Sequence, residues 1–214
     1  MAYFPMFVDI TDCDCLIIGG GKVAFRKVQV LLDFGANVTV IAQHICEEIK
    51  FVAESKNDEE NKNTVTYEER EYKLSDCDER ILVIAATDSH EKNHEIAEYC
   101  KARRIPINAV DQKEDCSFIF PSYVREKDLV AAFSSAGSSP LLTQILKEEE
   151  KKVLTPYLGA LNEALGSIRE EVKKAFGTEK ERKAVYRMIY ERAVKEEIIP
   201  SKHKMKEWIS CITL

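Results

Sequence analysis

The chain reads as an α/β protein, with a Rossmann-like doubly wound parallel sheet followed by a small α+β region and a helical C-terminal region. Three observations predict this. Strand-like and helix-like segments alternate as far as Asp111, a glycine-rich turn follows the first strand, and apolar residues from Leu154 onward recur at spacings of three and four. Alternation of that kind implies parallel strands joined by crossover helices, and the three-and-four spacing draws one apolar stripe along a helix.

The first strand, Cys15-Leu16-Ile17-Ile18, is short, apolar and bounded by glycine, as a strand covered on both faces of a parallel sheet requires. From Val23 the period changes. Ala24, Val28 and Leu31 lie at helical spacing, Gly35 can supply the left-handed stop, and Val38-Thr39-Val40-Ile41 is β-branched again. Between the two strands, Gly19-Gly20-Gly21-Lys22-Val23-Ala24 fits G-x-G-x-x-A in the strand, turn and helix context that makes it a dinucleotide-binding signature. Gly19 permits the tight turn, Gly21 lets the backbone approach a pyrophosphate, and Ala24 lets helix and strand pack closely. The helix N-terminus then presents N–H groups to the phosphates.

One part of that fingerprint is missing. The acidic residue that should end the second strand and hold the ribose hydroxyl is absent from Ala42-Gln43-His44, and Glu47 comes too late. Gln43, His44 or backbone groups are left to meet the ribose, and these residues alone keep NAD and NADP both open.

Further along, a helical segment leads to the polar run from Ser55 to Asn63, expected as a surface loop. Thr64-Val65-Thr66-Tyr67 reads as a third strand and Ile81 to Ala86 as a fourth, central one. Thr87-Asp88-Ser89 opens a helix that runs to about Arg103, and Ile105 to Val110 is a fifth strand ending at Asp111. Ser117 to Val124 and Leu129 to Phe133 are expected as a hairpin around the turn Arg125-Glu126-Lys127-Asp128. Ser139 and Pro140 mark a helix start that continues through Leu146. Leu154, Leu158, Leu161, Leu165, Ile168, Val172 and Phe176 form one stripe and Val185, Met188 and Ile189 begin another, which suits a helical bundle or a dimer core.

Composition narrows the class. With 214 residues, 45% of them hydrophobic, and a net charge of −6, the chain has material for one Rossmann-like domain and a smaller unit. Basic residues are scattered along helices, without the concentrated footprint of a nucleic-acid binder, so no nucleic-acid partner is expected. The seven cysteines are odd in number and contain no C-x-x-C pair, which suits free thiols in a reducing, cytoplasmic compartment. The amino terminus lacks the basic region of a signal peptide, and no stretch approaches the roughly 18 apolar residues of a membrane span, so no membrane partner is expected.

Ligands of doubly wound sheets bind outside the carboxyl ends of the strands, where Thr87, Asp88, Asn108 and Asp111 fall. Asp111 is the best-placed acid/base group, able to take a proton as hydride leaves a substrate, although the same position suits a turn residue or cap. Ser134-Ser135-Ala136-Gly137-Ser138-Ser139-Pro140 combines small side chains, hydroxyls and a helix N-terminus, which suits an anionic substrate or simply a capped loop. His90-Glu91-Lys92-Asn93-His94 matches H-E-x-x-H, but it opens a Rossmann helix and lacks a third ligand at a zincin spacing, so no metal site is expected.

Several segments together carry a family resemblance: Tyr3-Phe4-Pro5-Met6-Phe7, the glycine turn with Arg26-Lys27, Ala85-Ala86-Thr87-Asp88, Asn108-Ala109-Val110-Asp111, Cys116-Ser117-Phe118-Ile119-Phe120-Pro121, and the serine loop ending at Pro140. Their order and spacing resemble the precorrin-2 dehydrogenase module of siroheme synthases, closely over residues 1 to 155 and more loosely beyond. The resemblance implies NAD-dependent oxidation of precorrin-2 to sirohydrochlorin in siroheme or cobalamin biosynthesis. In some members it also implies insertion of ferrous iron, as a substrate, into the product.

The resemblance further implies that Asp111 is catalytic. It places Lys22, Val23, Gln43 and His44 at the cofactor, where the motif and the strand ends add Gly19, Gly20, Gly21, Thr87 and Asp88; it places Ser135 beside the substrate, where Asn108, Ser117, Gly137 and Ser138 are expected with it. The serine matching Ser135 is phosphorylated in some members. The implied organisation is a NAD-binding domain over residues 1–112, a dimerisation and substrate region over 113–150 and a helical domain over 151–214, assembled as a homodimer with the active site between subunits. The sequence departs from the family in reading Ala136 where glycine is usual and in its long polar loop near residue 58. A chain ending at Leu214 is expected to receive precorrin-2 from a separate methyltransferase. The rival expectation is a non-enzymatic NAD-sensing regulatory Rossmann domain.

Overall fold

The computed structural model describes residues 3–56 and 63–211. Over these the chain forms two compact units, Met1–Phe120 and Pro121–Leu214.

The first unit is built on five parallel strands: β1 (Asp14–Ile18), β2 (Asn37–Ala42), β3 (Val65–Glu69), β4 (Leu82–Ala85) and β5 (Ile107–Ala109). Their order is β3-β2-β1-β4-β5, so the winding reverses beside β1. Three helices cross over: α1 (Lys22–Asp33), α2 (Glu47–Lys56) and α3 (His90–Ala102). The strand β1 shows why both faces of the sheet are covered. Its Cys15 and Ile17 pack with Ala24, Val28 and Leu31 of α1, whereas Leu16 and Ile18 pack with Ile96, Ala97 and Cys100 of α3. A two-residue period on a strand sends alternate side chains to opposite faces, and here both faces are apolar and buried.

The helix α1 stops where glycine was expected to stop it. Gly35 has φ +81°, and the Ala36 N–H donates to the Leu31 carbonyl at 3.1 Å. At the other end, Gly19 has φ +127°. A Cβ there would stand 2.2 Å from the Ala86 carbonyl oxygen, so both the turn and the contact with the end of β4 exclude a side chain.

Some boundaries differ from expectation. The strand β3 runs on to Glu69, and β5 is only three residues long, so Asp111 lies in the turn that follows it. Residues 57–62, the centre of the expected polar loop, lie outside the described residues.

The second unit begins with the antiparallel hairpin of β6 (Ser122–Glu126) and β7 (Leu129–Phe133). The expected strand from Ser117 is corrected to start at Ser122. Ser117 is instead held to β5: its N–H donates to the Ile107 carbonyl at 2.9 Å, and its hydroxyl accepts from the Ile107 N–H at 2.9 Å. Pro121, lacking an N–H, precedes the first residue of the strand. The turn is also tighter than expected, with only Lys127 and Asp128 between the strands and Lys127 at φ +56°.

Five helices follow: α4 (Pro140–Val153), α5 (Pro156–Ser167), α6 (Arg169–Ala175), α7 (Glu179–Glu196) and α8 (Lys202–Ser210). The stripe from Leu154 to Phe176 is therefore shared among separate helices. Pro156 cannot continue α4 and instead starts α5 behind its N-cap Thr155, while Ile168 separates α5 from α6. Ile168, Val172 and Phe176 pack with Val185, Ile189, Met205 and Trp208 into the core of this unit.

Candidate dinucleotide-binding site

The carboxyl ends of β1, β2 and β4 open onto one cleft of about 690 Å³. Gly19, Gly20, Gly21, Lys22, Val23, Gln43, His44, Thr87 and Asp88, nine residues singled out from the sequence for a cofactor, all line it. The glycine turn forms its floor. A Cβ added to Gly20 would stand 2.1 Å from the His44 carbonyl oxygen, whereas one added to Gly21 would meet nothing within 4 Å. So Gly20 is small because the loop after β2 presses on it, and Gly21 leaves open space above the start of α1. Gly21 also gives α1 no side-chain cap, so the first-turn N–H groups have no capping side chain. Open space in front of a helix N-terminus is where a pyrophosphate is stabilised, so these residues fit a dinucleotide.

The opposite wall is fixed by a residue outside the expected set. Asn93, buried in α3, accepts from the Thr87 N–H at 3.1 Å and the Thr87 hydroxyl at 2.7 Å, and its amide donates to the Thr87 carbonyl at 3.2 Å. Ser89 caps α3 by accepting from the Lys92 N–H at 3.3 Å. The sequence signal was present but misleading, since Asn93 falls on one of the variable positions of the H-E-x-x-H match.

The third wall comes from the segment after β3. Arg70, Glu71, Tyr72 and Leu74 line the cleft, together with Lys92 and Glu95 from α3. The Tyr72 hydroxyl donates to Glu95 at 3.0 Å; its pKa is pushed up to about 12, chiefly by burial and then by that carboxylate. Arg70 is bidentate with Asp76 at 2.8 and 2.9 Å and also bonds Glu68 at 2.6 Å. Sequence reasoning missed this wall because only the pairing of β3 with β2 brings it to the cleft.

Asp111 is exposed at the end of β5 with φ +59°, and it is not among the residues lining the cleft. Beside it stands Lys27 of α1, whose ammonium lies 3.7 Å from the centre of the Phe120 ring. Burial lowers the Lys27 pKa, and the Cys116 thiol and the Asp111 carboxylate work against that burial. Asn108 is buried and donates to the Phe118 carbonyl at 3.1 Å, so its amide braces the loop after β5. In the second unit, Ser135 accepts from the Ser139 N–H at 3.0 Å and its carbonyl accepts from the Ser138 N–H at 3.0 Å, while Ala136 and Gly137 take φ +53° and +84°. The alanine found where the family resemblance leads one to expect glycine thus occupies a left-handed position.

The two histidines of the H-E-x-x-H segment are not grouped with one another as ligands among the described residues. Among the described residues, the grouping of ligand-type side chains close enough to share an ion is His94, Glu98 and Asp115, without His90 or Glu91. His94 Nδ1 lies 2.9 Å from Asp115, and the Lys101 ammonium bonds Glu98 at 3.2 Å and Asp115 at 3.3 Å, already supplying the positive charge.

A family model described as putative NAD(P)-binding matches residues 6–122, more than half of the chain. The chain belongs to that NAD(P)-binding family. Its relatives include the siroheme synthase of Nitrosospira multiformis, 35% identical over 210 residues that make up 98% of this chain and 44% of the relative. Siroheme synthase 2 of Klebsiella pneumoniae is 37% identical over 190 residues, 89% of this chain and 40% of the relative. The chain thus spans about two fifths of the length of these curated relatives, and the kinship with siroheme synthases read from its motifs is borne out. Among solved structures, SirC, precorrin-2 dehydrogenase, shares the fold, with a TM-score of 0.68 and 19% identity over 97% of this chain and 98% of that one. No helix among the described residues is long and apolar enough to cross a membrane.

Proposed function

We propose that this chain is an NAD-dependent dehydrogenase that oxidises precorrin-2 to sirohydrochlorin. The observation that carries the reading is the cleft at the topological switch point, lined by all nine expected cofactor residues and open in front of Gly21. The siroheme synthase relatives give the substrate class.

When bound, NAD supplies the hydride acceptor. The chain supplies the rest. The first-turn N–H groups of α1 hold the pyrophosphate, and Gln43 and His44 meet the adenosine ribose beyond β2. Thr87 and Asp88 would border the nicotinamide end, the Thr87 backbone fixed by Asn93. Asp111 accepts the proton that precorrin-2 loses as its hydride departs, and Lys27 steadies the charge beside it. Asn108 and Ser117 shape the loop behind Asp111, and the serine loop with Ser135, Gly137 and Ser138 receives substrate carboxylates. The domain division follows the same reading: 1–112 for the cofactor, 113–150 for dimerisation and substrate, and 151–214 as the helical domain.

The homodimer belongs to the proposal. Leu141, Leu142, Ile145 and Leu146 of α4 are 65%, 57%, 48% and 50% exposed, an apolar face that a second copy would cover.

The test is an anaerobic assay with enzymatically generated precorrin-2 and NAD, following NADH and the sirohydrochlorin spectrum. One NADH formed per sirohydrochlorin is expected. Ferrous iron is then added to read chelation against a protein-free control. NAD binding without turnover would favour the sensor reading instead.

A further inference from the structure

The strand β3 pairs with β2 in parallel, with Glu69 opposite Ala42. Both chains leave the sheet in the same direction there, tied by the Arg70 N–H donating to the Ala42 carbonyl at 3.0 Å. Glu71 therefore travels beside Gln43, and the Gln43 amide donates to Glu71 Oε1 at 2.9 Å. Both residues line the cleft. A carboxylate thus arrives at the end of β2 from the neighbouring strand, at the place where the fingerprint of this fold carries an acid on β2 itself.

We infer that Glu71 is the residue by which this cleft selects NAD over NADP, its carboxylate accepting from the adenosine ribose hydroxyls and repelling a 2′-phosphate. The inference rests on the reading of the cleft as a nicotinamide dinucleotide site and adds what decides between the two dinucleotides. The cleft is also lined by the cations Lys22, Arg70 and Lys92; Arg70 shares the wall with Glu71, and its guanidinium is committed. Its Nε bonds Glu68 at 2.6 Å, Nη1 and Nη2 bond Asp76 at 2.8 and 2.9 Å, and Nη1 also donates to the Glu71 carbonyl at 2.9 Å. Two carboxylates on one guanidinium balance that cation, so Arg70 is not free to pair with a 2′-phosphate. Gln43 holds Glu71 through Oε1, and Oε2 accepts no hydrogen bond from the described residues.

The test is direct binding, by calorimetric titration of NAD and NADP into wild type, Glu71→Gln and Glu71→Ala. Glu71 is exposed, and a thermal melt of each variant verifies that it folds. Wild type is expected to bind NAD at least tenfold more tightly than NADP. Both variants should narrow that ratio at least fivefold, mainly by gaining NADP affinity. In wild type the ratio should also shrink as salt is raised, because screening weakens the repulsion. A ratio that both substitutions leave unchanged overturns the role of Glu71 while leaving the cofactor reading intact. Failure of wild type to bind either dinucleotide overturns the cofactor reading and this inference with it.

Discussion

Asn93 and Thr87 hold each other at three points: the Asn93 carbonyl takes both the N–H and the hydroxyl of Thr87, and the Asn93 amide donates to the Thr87 carbonyl. The buried amide thereby closes the backbone beyond β4 into a fixed wall of the cleft. Asn93→Ala would leave a partly buried N–H and carbonyl without partners, at a cost of about 2 kcal/mol. Urea denaturation should show that loss, and an NAD titration should show at least fivefold weaker binding. Retained NAD affinity in a destabilised variant would mean that Thr87 does not shape the cofactor wall.

Gly19 and Gly21 separate the two reasons for glycine in this turn. Gly19→Ala meets the Ala86 carbonyl and a left-handed φ, and should cost about 3 kcal/mol or lose the fold. Gly21→Ala meets open space, and the poorer N-cap offsets the gain from a stiffer unfolded chain, so stability should stay within about 1 kcal/mol. Its NAD affinity should nevertheless fall at least tenfold, because the methyl group occupies the approach to the pyrophosphate. Melting curves and NAD titrations on the two variants check the contrast.

The legible part of the molecule is local. The glycine turn, the stop at Gly35 and the apolar run of β1 are written in neighbouring residues, so the glycine side of the cleft could be read from them, while Gln43, His44, Thr87 and Asp88 were read from the ends of later strands and the family resemblance. What escaped was set by pairing between distant segments. Glu71 reaches Gln43 only through the register of β3 on β2, and Arg70 lines the cleft for the same reason. Ser117 looked like a strand residue, but its hydroxyl is spent on the backbone of β5. The stripe from Leu154 to Phe176 kept its helical period across Pro156, and the proline outweighed the period.

Asp111 is the residue on which turnover should depend without binding. Its carboxylate is exposed, outside the residues lining the cleft. Asp111→Asn should keep NAD affinity within about twofold and lower the rate of NADH formation at least a hundredfold, in line with the loss of a general base. A variant that turns over precorrin-2 at the wild-type rate would remove Asp111 from the chemistry.

Asp76 should contribute to the acid limb of stability. Its hydrogen bonds from Arg70 lower its pKa, outweighing burial, and the Lys73 N–H assists at 2.7 Å. A carboxylate depressed below its unfolded value of about 3.9 stabilises the fold above that pH, and the contribution is lost as pH falls through the lower, folded value. Asp76→Asn should therefore cost about 2 kcal/mol at pH 7. The gap to wild type should narrow below about pH 4. Urea melts at pH 7, 5 and 3.5 test the sign, and a gap that widens toward acid would contradict it.

The apolar face of α4 gives the last prediction. None of this helix is buried within the single chain, and Leu142 and Ile145 are 57% and 48% exposed. Lysine at either position adds a charge that the monomer solvates freely but a paired interface would have to desolvate. Wild type is expected to be dimeric at micromolar concentration by light scattering coupled to gel filtration. Leu142→Lys and Ile145→Lys should shift it toward monomer with unchanged far-ultraviolet circular dichroism. Dimers that persist in both variants would place the interface elsewhere, whereas folded monomers would assign it to α4, the helix that follows the serine loop.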